Sequence, residues 1–226
     1  MRLINSFTNR PSALRNREKG KRIFILANGP SINEEDLSLL QNEVVVSMNA
    51  ATLLEKKFDF TSNYYVLSDA RFISAPEKRA WATTDLALAT QRVVRSDLRP
   101  LDDASLEDRT TYVAPLSRDG FSQNLAKGYY YGCTTTMLAL QLAWHLGSRE
   151  VYLLGCDLRY PEDNPRFYEE ATPQLEDAFT SVQMQNIVGA SQVFESNGGA
   201  LVNCSARSFL KPYLNFSEFR SACGQT

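Results

Sequence analysis

One stretch of ten residues, 22–31 (RIFILANGPS), limits what this chain can fold into more than any other. Its apolar run ends at Asn28 without polar alternation, which predicts a strand buried on both faces, as in a parallel α/β sheet. Gly29 permits a sharp turn or a close approach of the backbone to a ligand. Pro30 and Ser31 suit the first turn or N-cap of a helix. Such strand–turn–helix units often bind phosphate, but they also occur without a ligand.

Further buried strands alternate with helical segments along most of the chain. The apolar patterns predict strands within residues 44–49, 64–68, 85–95, 150–154 and 200–203, and helices within residues 34–40, 50–57, 70–83, 134–147 and 174–196. Residues 97–128 are polar and rich in turn formers, which predicts a long surface excursion of the kind that forms lids or binding loops. The alternation predicts an α/β protein with a single doubly wound, mostly parallel sheet and right-handed crossovers.

Polar or glycine residues follow four of the predicted strands. They are Asn28, Asn49, Asp69 and the tripeptide Gly155-Cys156-Asp157. Because the carboxyl ends of parallel strands lie along one edge of the sheet, we expect these residues to be neighbours. Open α/β sheets bind ligands at that edge, so the sequence predicts a ligand site there.

The composition favours one globular domain that does not bind nucleic acid. The chain has 226 residues, 43% of them hydrophobic, and a formal net charge of −2. The charge is uneven, because seven basic residues stand against Glu18 alone in residues 1–22. We predict a basic N-terminal arm over residues 1–21 and an α/β domain over residues 22–226. The arm is either a solvated terminus or a contact with an anionic membrane or an acidic glycan.

Several common sites are missing from the sequence. It contains no GxxxxGK[ST] P-loop, no GxGxxG dinucleotide motif, no GxSxG elbow and no Asp-x-Asp pair at a strand end. The four cysteines show no CxxC or metal-ligand spacing, which indicates reduced thiols in a cytosolic protein. The single histidine, His145, is expected to share a polar helix face with Gln141 in a structural role. No signal peptide or membrane-spanning run is recognised, so we predict a cytoplasmic protein, at most peripheral to the inner membrane.

The order of these segments is similar to that of a known family. The segments are NGPS after the first strand, VSMN at the second, the strand end at Asp69, the helix entry over residues 132–136, LGSREVYLLGCD and a tyrosine-containing loop. Together they resemble the bacterial sialyltransferases of glycosyltransferase family 42 and the wider group of polysaccharide-locus proteins and archaeal pterin pyrophosphokinases with that core. The resemblance covers residues 22–72 and 130–210. It implies a Rossmann-like variant of the glycosyltransferase A fold, with no metal ion or other cofactor besides a CMP-sugar donor.

The resemblance assigns donor contacts to the first three strand ends. The turn Asn28-Gly29-Pro30-Ser31 matches the family's first turn, whose Asn-Gly contacts the donor phosphate and cytidine. Asn49 matches the asparagine after the second strand. Asp69 replaces the third-strand asparagine, and an extra anion beside a negatively charged donor is unfavourable unless it meets a hydroxyl or a cation.

The resemblance assigns further contacts to the helix entry and to the strand that follows it. The family's serine or threonine at the helix entry matches Thr135, with Thr134 and Thr136 beside it. Hydroxyl and amide groups at a helix N-terminus suit a carboxylate or a phosphate. The family's Gly-x-Asp, which binds cytidine, matches Gly155-Cys156-Asp157.

The expected catalytic residues lie in the tyrosine-containing loop and just after it. The family's tyrosine pair, which supports the departing phosphate, matches Tyr160 and Tyr168. The family's histidine base has no counterpart between this loop and the final strand. A transfer to a hydroxyl needs a base within hydrogen-bond reach of its proton. We predict Asp177 in this role, ahead of Glu176 and Glu170.

Three functions remain open from the sequence. The first is a metal-independent, inverting glycosyltransferase that uses a CMP-activated sialic-acid-like or Kdo-like sugar and a glycan or glycolipid acceptor in surface polysaccharide or lipopolysaccharide synthesis. The second is a Mg²⁺-dependent diphosphate transferase, with Asp69 and Asp157 holding the ion. The third is a non-catalytic nucleotide- or glycan-binding relative that has lost its base. The sugar, the acceptor and the oligomeric state stay open.

Overall fold

The computed structural model describes residues 9–161, 165–170 and 176–225. Its strands are β1 (Ile23–Leu26), β2 (Val44–Met48), β3 (Tyr64–Leu67), β4 (Gln91–Arg95), β5 (Thr110–Val113), β6 (Glu150–Leu154), β7 (Ala200–Asn203) and β8 (Asn215–Phe216). They form one sheet in the order β5-β4-β3-β2-β1-β6-β7-β8. Each neighbouring pair of these strands is parallel, which confirms the predicted α/β architecture.

Short and long helices connect the strands. The α-helices are α1 (Leu53–Phe58), α2 (Arg71–Ser74), α3 (Pro76–Ala82), α4 (Thr135–His145), α5 (Thr180–Glu195) and α6 (Phe219–Ala222). Segments of 3-10 helix cover Pro11–Leu14, Pro30–Glu34, Leu37–Leu40, Asn49–Thr52, Ser96–Leu101, Ala104–Arg109 and Leu125–Lys127. Across the described ranges, each helix is too short or too polar to cross a membrane.

Strand β1 lies at the centre of the sheet and is buried on both faces. Ile23 and Ile25 pack into one core cluster with residues of α4 and α5. Phe24 and Leu26 pack into a second cluster on the opposite face. Burying a side chain of this size stabilises the fold by about 1.5–3 kcal/mol. Both faces of the strand therefore demand apolar residues, which explains the absence of alternation in its sequence.

The chain reverses its course across the sheet at β1. It moves outward from β1 through β2, β3 and β4 to β5, and then returns through α4 to β6 on the other side of β1. It continues outward through β7 to β8. The carboxyl ends of β1 and β6 therefore form the topological switch point, where sheets of this kind bind ligands.

The expectation of a surface excursion over residues 97–128 is wrong in part, because this segment contains the edge strand β5. The fully buried Arg92 forms an ion pair with Asp102, with nitrogen–oxygen distances of 2.9 and 3.0 Å. Arg92 also donates a hydrogen bond of 2.7 Å to Thr110 Oγ1. The polar residues that suggested a loop thus satisfy one buried charge and hold the edge strand against β4.

The described part of the basic arm packs against the domain. Leu14 is fully buried in the core cluster that contains α4. The backbone N–H groups of Asn16 and Glu18 donate hydrogen bonds of 2.9 and 2.8 Å to the carbonyl groups of His145 and Leu146 at the end of α4. These contacts satisfy carbonyl groups that a helix C-terminus leaves without partners. Leu14 and these two hydrogen bonds therefore anchor residues 11–18 to the domain.

His145 has the structural role that the sequence predicted, but on a buried face. Its Nδ1 accepts a hydrogen bond of 3.3 Å from the Leu125 N–H, so Nε2 carries the proton that it donates to the Pro11 carbonyl at 2.7 Å. Burial lowers the pKa of the imidazole, which favours the neutral ring. Gln141 is also buried, and it holds the backbone of Ser122 and Tyr130.

Candidate active site

A cavity of about 660 Å³ opens at the carboxyl edge of the sheet, and we name it the first cavity. It contains most of the residues predicted from the sequence. These are Asn28, Gly29, Asn49, Asp69, Thr134, Thr135, Thr136, Gly155, Cys156, Asp157, Tyr160, Tyr168 and Asp177. The remaining two predicted residues, Pro30 and Ser31, line a second cavity of about 810 Å³.

The first cavity has two walls of different origin. Its rear wall comprises residues 27–29, 48–49, 68–69 and 155–157 at the ends of β1, β2, β3 and β6, together with residues 134–136 at the start of α4. Its front wall comprises residues 158–160, 166–170 and 177–179, which follow β6 and precede α5. Side chains from α2, α3, α5, the end of β4 and the loop after β5 complete the lining.

Asn28 ties the ends of two strands together. Its Oδ1 accepts a hydrogen bond of 3.1 Å from the Ala50 N–H, and its Nδ2 donates one of 3.4 Å to the Met48 carbonyl. These bonds link the turn after β1 to the turn after β2. The side chain thus fixes the shape of the rear wall while it lines the cavity.

Gly29 and Asp157 lock the turns after β1 and β6 against each other. The Gly29 N–H donates a hydrogen bond of 2.7 Å to the Gly155 carbonyl. A Cβ atom on Gly29 would lie 2.5 Å from Asp157 Oδ2, so only glycine fits without a shift. Asp157 is buried and accepts hydrogen bonds from the Ser31 N–H at 2.9 Å and the Ser31 hydroxyl at 2.5 Å. Both oxygens of Asp157 are therefore already engaged in holding the turn.

Asn49 sits in a strained position with one unused hydrogen-bond acceptor. Its φ of 53° lies in the left-handed region, which a side chain other than glycine adopts at a cost. Its Oδ1 is buried and has no hydrogen-bond partner among the residues that the structure describes. A buried acceptor without a partner costs about 1–3 kcal/mol. Asn49 lines the first cavity, where the sequence predicted a contact with the donor.

Helix α4 directs its N-terminus at the first cavity. Thr134 is the N-cap, and its Oγ1 accepts a hydrogen bond of 3.3 Å from the Thr136 N–H. The Thr135 hydroxyl lies 2.8 Å from that of Ser68 after β3, and the Thr136 hydroxyl lies 3.9 Å from the sulfur of Cys156. All eleven residues of α4 are buried. The positive end of the helix dipole therefore faces the cavity from a fixed position, as a phosphate site requires.

Basic residues outnumber acidic residues around the first cavity. The basic side chains are Arg71, Lys78, Arg95, Arg118, Arg159 and Arg166, and the acidic ones are Asp69, Asp157, Glu170 and Asp177. The sequence analysis did not assign Arg71, Lys78, Arg95 or Arg118 to the site. Arg71 and Lys78 lie between β3 and β4, Arg95 ends β4 and Arg118 follows β5, and no local motif marks them. Arg95 and Arg118 are themselves paired with Asp97 and Asp119, which lie outside the lining. The N-terminus of α4, more than the number of cations, therefore makes the cavity suit an anionic ligand.

Asp69 forms an ion pair with a neighbouring cation, Arg71. Its carboxylate forms an ion pair of 2.7 Å with Arg71 and accepts a hydrogen bond of 2.9 Å from the Arg71 backbone N–H. The hydrogen bond to Asp69 is the main cause of a raised pKa at Arg71. The departure from the asparagine of the sialyltransferases therefore adds no net charge to the rear wall.

Glu170 and the two tyrosines form the polar part of the front wall. Glu170 lies 2.7 Å from Lys78 Nζ and 4.0 Å from Arg166 Nε. Tyr168 donates a hydrogen bond of 3.4 Å to Glu170, and the Tyr160 ring centroid lies 4.7 Å from the Arg166 guanidinium. Burial raises the pKa of both tyrosines, so both phenols keep their proton at neutral pH and act as hydrogen-bond donors.

Asp177 is the candidate base that the geometry favours among the three predicted from the sequence. Its Oδ1 accepts a hydrogen bond of 2.9 Å from the Phe179 N–H, and its Oδ2 accepts one of 2.9 Å from Gln183. Asp177 is half-buried and lines both cavities. Glu176 lines the second cavity, and Glu170 is paired with Lys78. The hydrogen bond from Phe179 also explains why α5 begins at Thr180, later than predicted.

The two carboxylates that would hold Mg²⁺ in the diphosphate-transferase hypothesis already have other partners. Asp69 is paired with Arg71, and Asp157 is bound by Ser31. Within residues 9–161, 165–170 and 176–225, no group of three or more His, Cys, Asp or Glu side chains is placed to hold a metal ion.

Solved structures share this fold, and two of them are the following. The MAf glycosyltransferase from Magnetospirillum magneticum AMB-1 matches with a TM-score of 0.60 and 16% identity, over 94% of this chain and 38% of that protein. The present chain thus spans well under half the length of MAf. The sialyltransferase CstII from Campylobacter jejuni, solved with the substrate analogue cytidine-5'-monophosphate, matches with a TM-score of 0.55 and 13% identity, over 89% of this chain and 88% of CstII. No curated protein sequence matches the chain.

The parallel sheet with a cavity at its switch point is thus a fold that this chain shares with these two proteins. The sequence model of the MptE-like family, described as 6-hydroxymethylpterin diphosphokinase MptE-like, matches residues 2–163. The chain belongs to the MptE-like family. These findings confirm the resemblance that the sequence motifs indicated, both to sialyltransferases and to pterin pyrophosphokinases.

Proposed function

We propose that this protein is a metal-independent, inverting glycosyltransferase whose donor is a CMP-activated acidic sugar. The observation that carries the proposal is the first cavity, in which the N-terminus of α4 and an excess of basic side chains surround the switch point. A donor with a phosphate and a carboxylate complements that charge. The fold neighbours support the proposal, because MAf is a glycosyltransferase and CstII was solved with cytidine-5'-monophosphate.

The proposed reaction is a single displacement at the anomeric carbon. The acceptor hydroxyl oxygen forms a bond to this carbon while the bond from the carbon to the phosphate oxygen breaks, so the configuration inverts. CMP leaves with the electron pair of the broken bond, and the acceptor proton passes to the Asp177 carboxylate. A positioned base of this kind accelerates transfer by about 10²–10⁴-fold, and the fixed geometry of the rear wall adds the effect of orientation.

The leaving phosphate gains negative charge as its bond to the sugar breaks. In the proposed pose it faces the N-terminus of α4, where Thr135 and Thr136 lie. The Tyr160 phenol donates to it, and the Tyr168 phenol does so after turning away from Glu170. Burial favours the protonated form of both phenols, as this role requires. Such preorganised donors stabilise developing charge without reorganisation.

A thermal-shift panel tests this proposal. The melting temperature of the protein is measured with CMP, CTP and ATP, each with Mg²⁺ and with EDTA. We expect CMP to raise the melting temperature in EDTA, since a ligand that binds only the folded state stabilises it. A shift that requires both ATP and Mg²⁺ would overturn the proposal. CMP binding without turnover of any CMP-sugar would instead support a non-catalytic relative.

Diphosphate transfer from ATP is the second candidate function, and the family membership favours it. That chemistry needs Mg²⁺ held by carboxylates. Asp69 would first have to release Arg71, and Asp157 would have to release Ser31 and with it the turn after β1. These contacts make sugar transfer the better-supported proposal.

We further propose that the acceptor is a glycan or glycolipid of a bacterial surface polysaccharide or lipopolysaccharide, reached from the cytoplasmic side. Arg15, Arg17, Lys19 and Lys21 stay exposed although the arm is packed. They would attract an anionic membrane surface. Binding to phosphatidylglycerol vesicles that is lost at high salt would support this contact, and equal binding to phosphatidylcholine vesicles would contradict it.

A further inference from the structure

The second cavity shares a wall with the first. Five residues line both: Asp157, Leu158, Arg159, Tyr160 and Asp177. The far side of the second cavity is formed by the first turn after β1, by residues 176–180 and by the segment after β7. Asp157 is buried, and both of its oxygens point to Ser31. Asp177 also accepts two hydrogen bonds, but it is half-buried, so it is the shared carboxylate that remains accessible to a proton. A group in the second cavity that attacks a donor in the first cavity would therefore pass Asp177.

The two cavities differ in charge. The second cavity is lined by the basic residues Arg159 and Arg207 and by the acidic residues Glu34, Asp157, Glu176 and Asp177. Acidic residues are thus in excess there, whereas basic residues are in excess in the first cavity. Arg207 is itself paired with Glu34 at 3.0 Å. An anionic acceptor would be repelled, while hydroxyl groups can donate hydrogen bonds to the carboxylates.

The second cavity also offers an aromatic ring at a fixed position. Phe209 is 41% exposed, and its backbone N–H donates a hydrogen bond of 3.0 Å to the Asp157 carbonyl. The Arg159 guanidinium lies 4.5 Å from the Phe209 ring centroid. An aromatic ring beside several hydrogen-bond acceptors is a lining that fits a molecule with both apolar and hydroxyl faces.

We infer that the second cavity binds the acceptor, and that the acceptor presents an uncharged, hydroxyl-rich sugar to Asp177. The inference rests on the proposed transfer to a hydroxyl and adds the place and the chemical class of the acceptor. The apolar face of the sugar packs on Phe209, and its hydroxyls donate to Glu176 and Asp177. The attacking hydroxyl then lies between the two cavities, where Asp177 accepts its proton.

A glycan array of neutral and acidic oligosaccharides tests this inference with the full chain, with and without CMP. We expect retention on neutral glycans and its loss, by at least tenfold, in the Phe209→Ala variant. The matched control is Phe216→Ala, since Phe216 is 39% exposed but lies outside both cavities. Glu176→Lys, which reverses one charge of the second cavity, is expected to move retention toward acidic glycans.

The possible outcomes separate this inference from the proposed function. Retention confined to acidic glycans, no retention of any neutral glycan, or retention unaffected by Phe209→Ala would each overturn the acceptor site. The melting-temperature shift with CMP reports on the first cavity and is expected to be the same in the wild type, Phe209→Ala and Phe216→Ala. A CMP shift without neutral-glycan retention therefore refutes the acceptor site alone. Retention of neutral glycans without a melting-temperature shift by CMP refutes the proposed CMP-sugar donor.

Discussion

The rear and front walls of the first cavity are held in place by different kinds of contact. In the rear wall, backbone and short polar side chains join strand ends that are already neighbours in the sheet, as Asn28 does between β1 and β2. In the front wall, long charged side chains join distant parts of the chain, as Lys78 of α3 does with Glu170. The rear wall is thus built by the fold itself, and the front wall is added to it. We therefore expect rear-wall changes to affect folding and ligand binding together, and changes to the proposed catalytic side chains of the front wall, Asp177 and Tyr168, to act mainly on turnover.

The largest effect is expected from removing the proposed base in the front wall. Asp177→Asn keeps the shape of the side chain but cannot take a proton, so turnover of a CMP-sugar should fall by about 10²–10⁴-fold. The melting temperature should fall slightly, because asparagine cannot accept hydrogen bonds from both the Phe179 N–H and Gln183, whereas the shift with CMP should stay unchanged. Initial rates and thermal melts measure both quantities.

Asp59→Asn is the matched control for the base, because Asp59 is an exposed carboxylate at the end of α1 in a left-handed conformation that asparagine also adopts. It should leave turnover unchanged. A loss of CMP binding in Asp177→Asn would show that Asp177 contributes to donor binding as well as to turnover.

The next largest effect is expected at the tightest contact of the rear wall. Gly29→Ala places a Cβ against Asp157 and Gly155, so it should lower the unfolding free energy by about 1–3 kcal/mol. CMP binding should weaken in parallel. Gly189→Ala is the control, since a Cβ there meets no atom within 4 Å and should stabilise α5 by about 0.4–1 kcal/mol. Urea unfolding of the two variants should therefore give shifts of opposite sign.

Glu55 tests whether unsatisfied buried oxygens always mark a ligand site. Like Asn49, it has a buried oxygen without a hydrogen-bond partner among the described residues, but it lies outside both cavities. Burial raises its pKa from 4.5 to about 6. The charged form is therefore disfavoured in the folded state, so the wild type loses stability as the pH rises from 4.5 to above 6.

Glu55→Gln removes this loss. At pH 8 it should raise the unfolding free energy by up to about 2 kcal/mol, and below pH 4.5 it should have little effect. Unfolding curves across this pH range give the difference. CMP binding should not respond, whereas Asn49→Ala should weaken it. An effect of Glu55→Gln on CMP binding would contradict the distinction between Asn49, which lines the first cavity, and Glu55, which lies outside both cavities.

The smallest effect is expected from one hydroxyl of the front wall. Tyr168→Phe removes a hydrogen-bond donor to the leaving phosphate and should lower turnover about tenfold. The control is Tyr213→Phe, since Tyr213 is 60% exposed and lies outside both cavities. Equal rates for the two variants would remove Tyr168 from the proposed chemistry.

The contrast between the walls also explains what the sequence could predict. Asn28, Asn49 and Asp69 directly follow apolar strands, so a local pattern and the parallel topology place them at one edge. Lys78 and Arg118 reach the same cavity through tertiary packing alone, and nothing in their sequence neighbourhood indicates it. The edge strand β5 was missed for a similar reason. Its polar neighbours in the sequence are typical of a loop. The structure shows instead that Arg92 and Asp102 neutralise each other inside the protein.

The central claim is that this protein transfers the sugar from its CMP donor without a metal ion. The decisive measurement incubates the protein in EDTA with CMP-N-acetylneuraminate or CMP-Kdo and a mixture of neutral oligosaccharides, and follows CMP release and the configuration of the product by NMR. We expect CMP release coupled to a product of inverted anomeric configuration, lost in Asp177→Asn. No CMP release from either donor, together with AMP formation from ATP and 6-hydroxymethylpterin in Mg²⁺, would contradict the account.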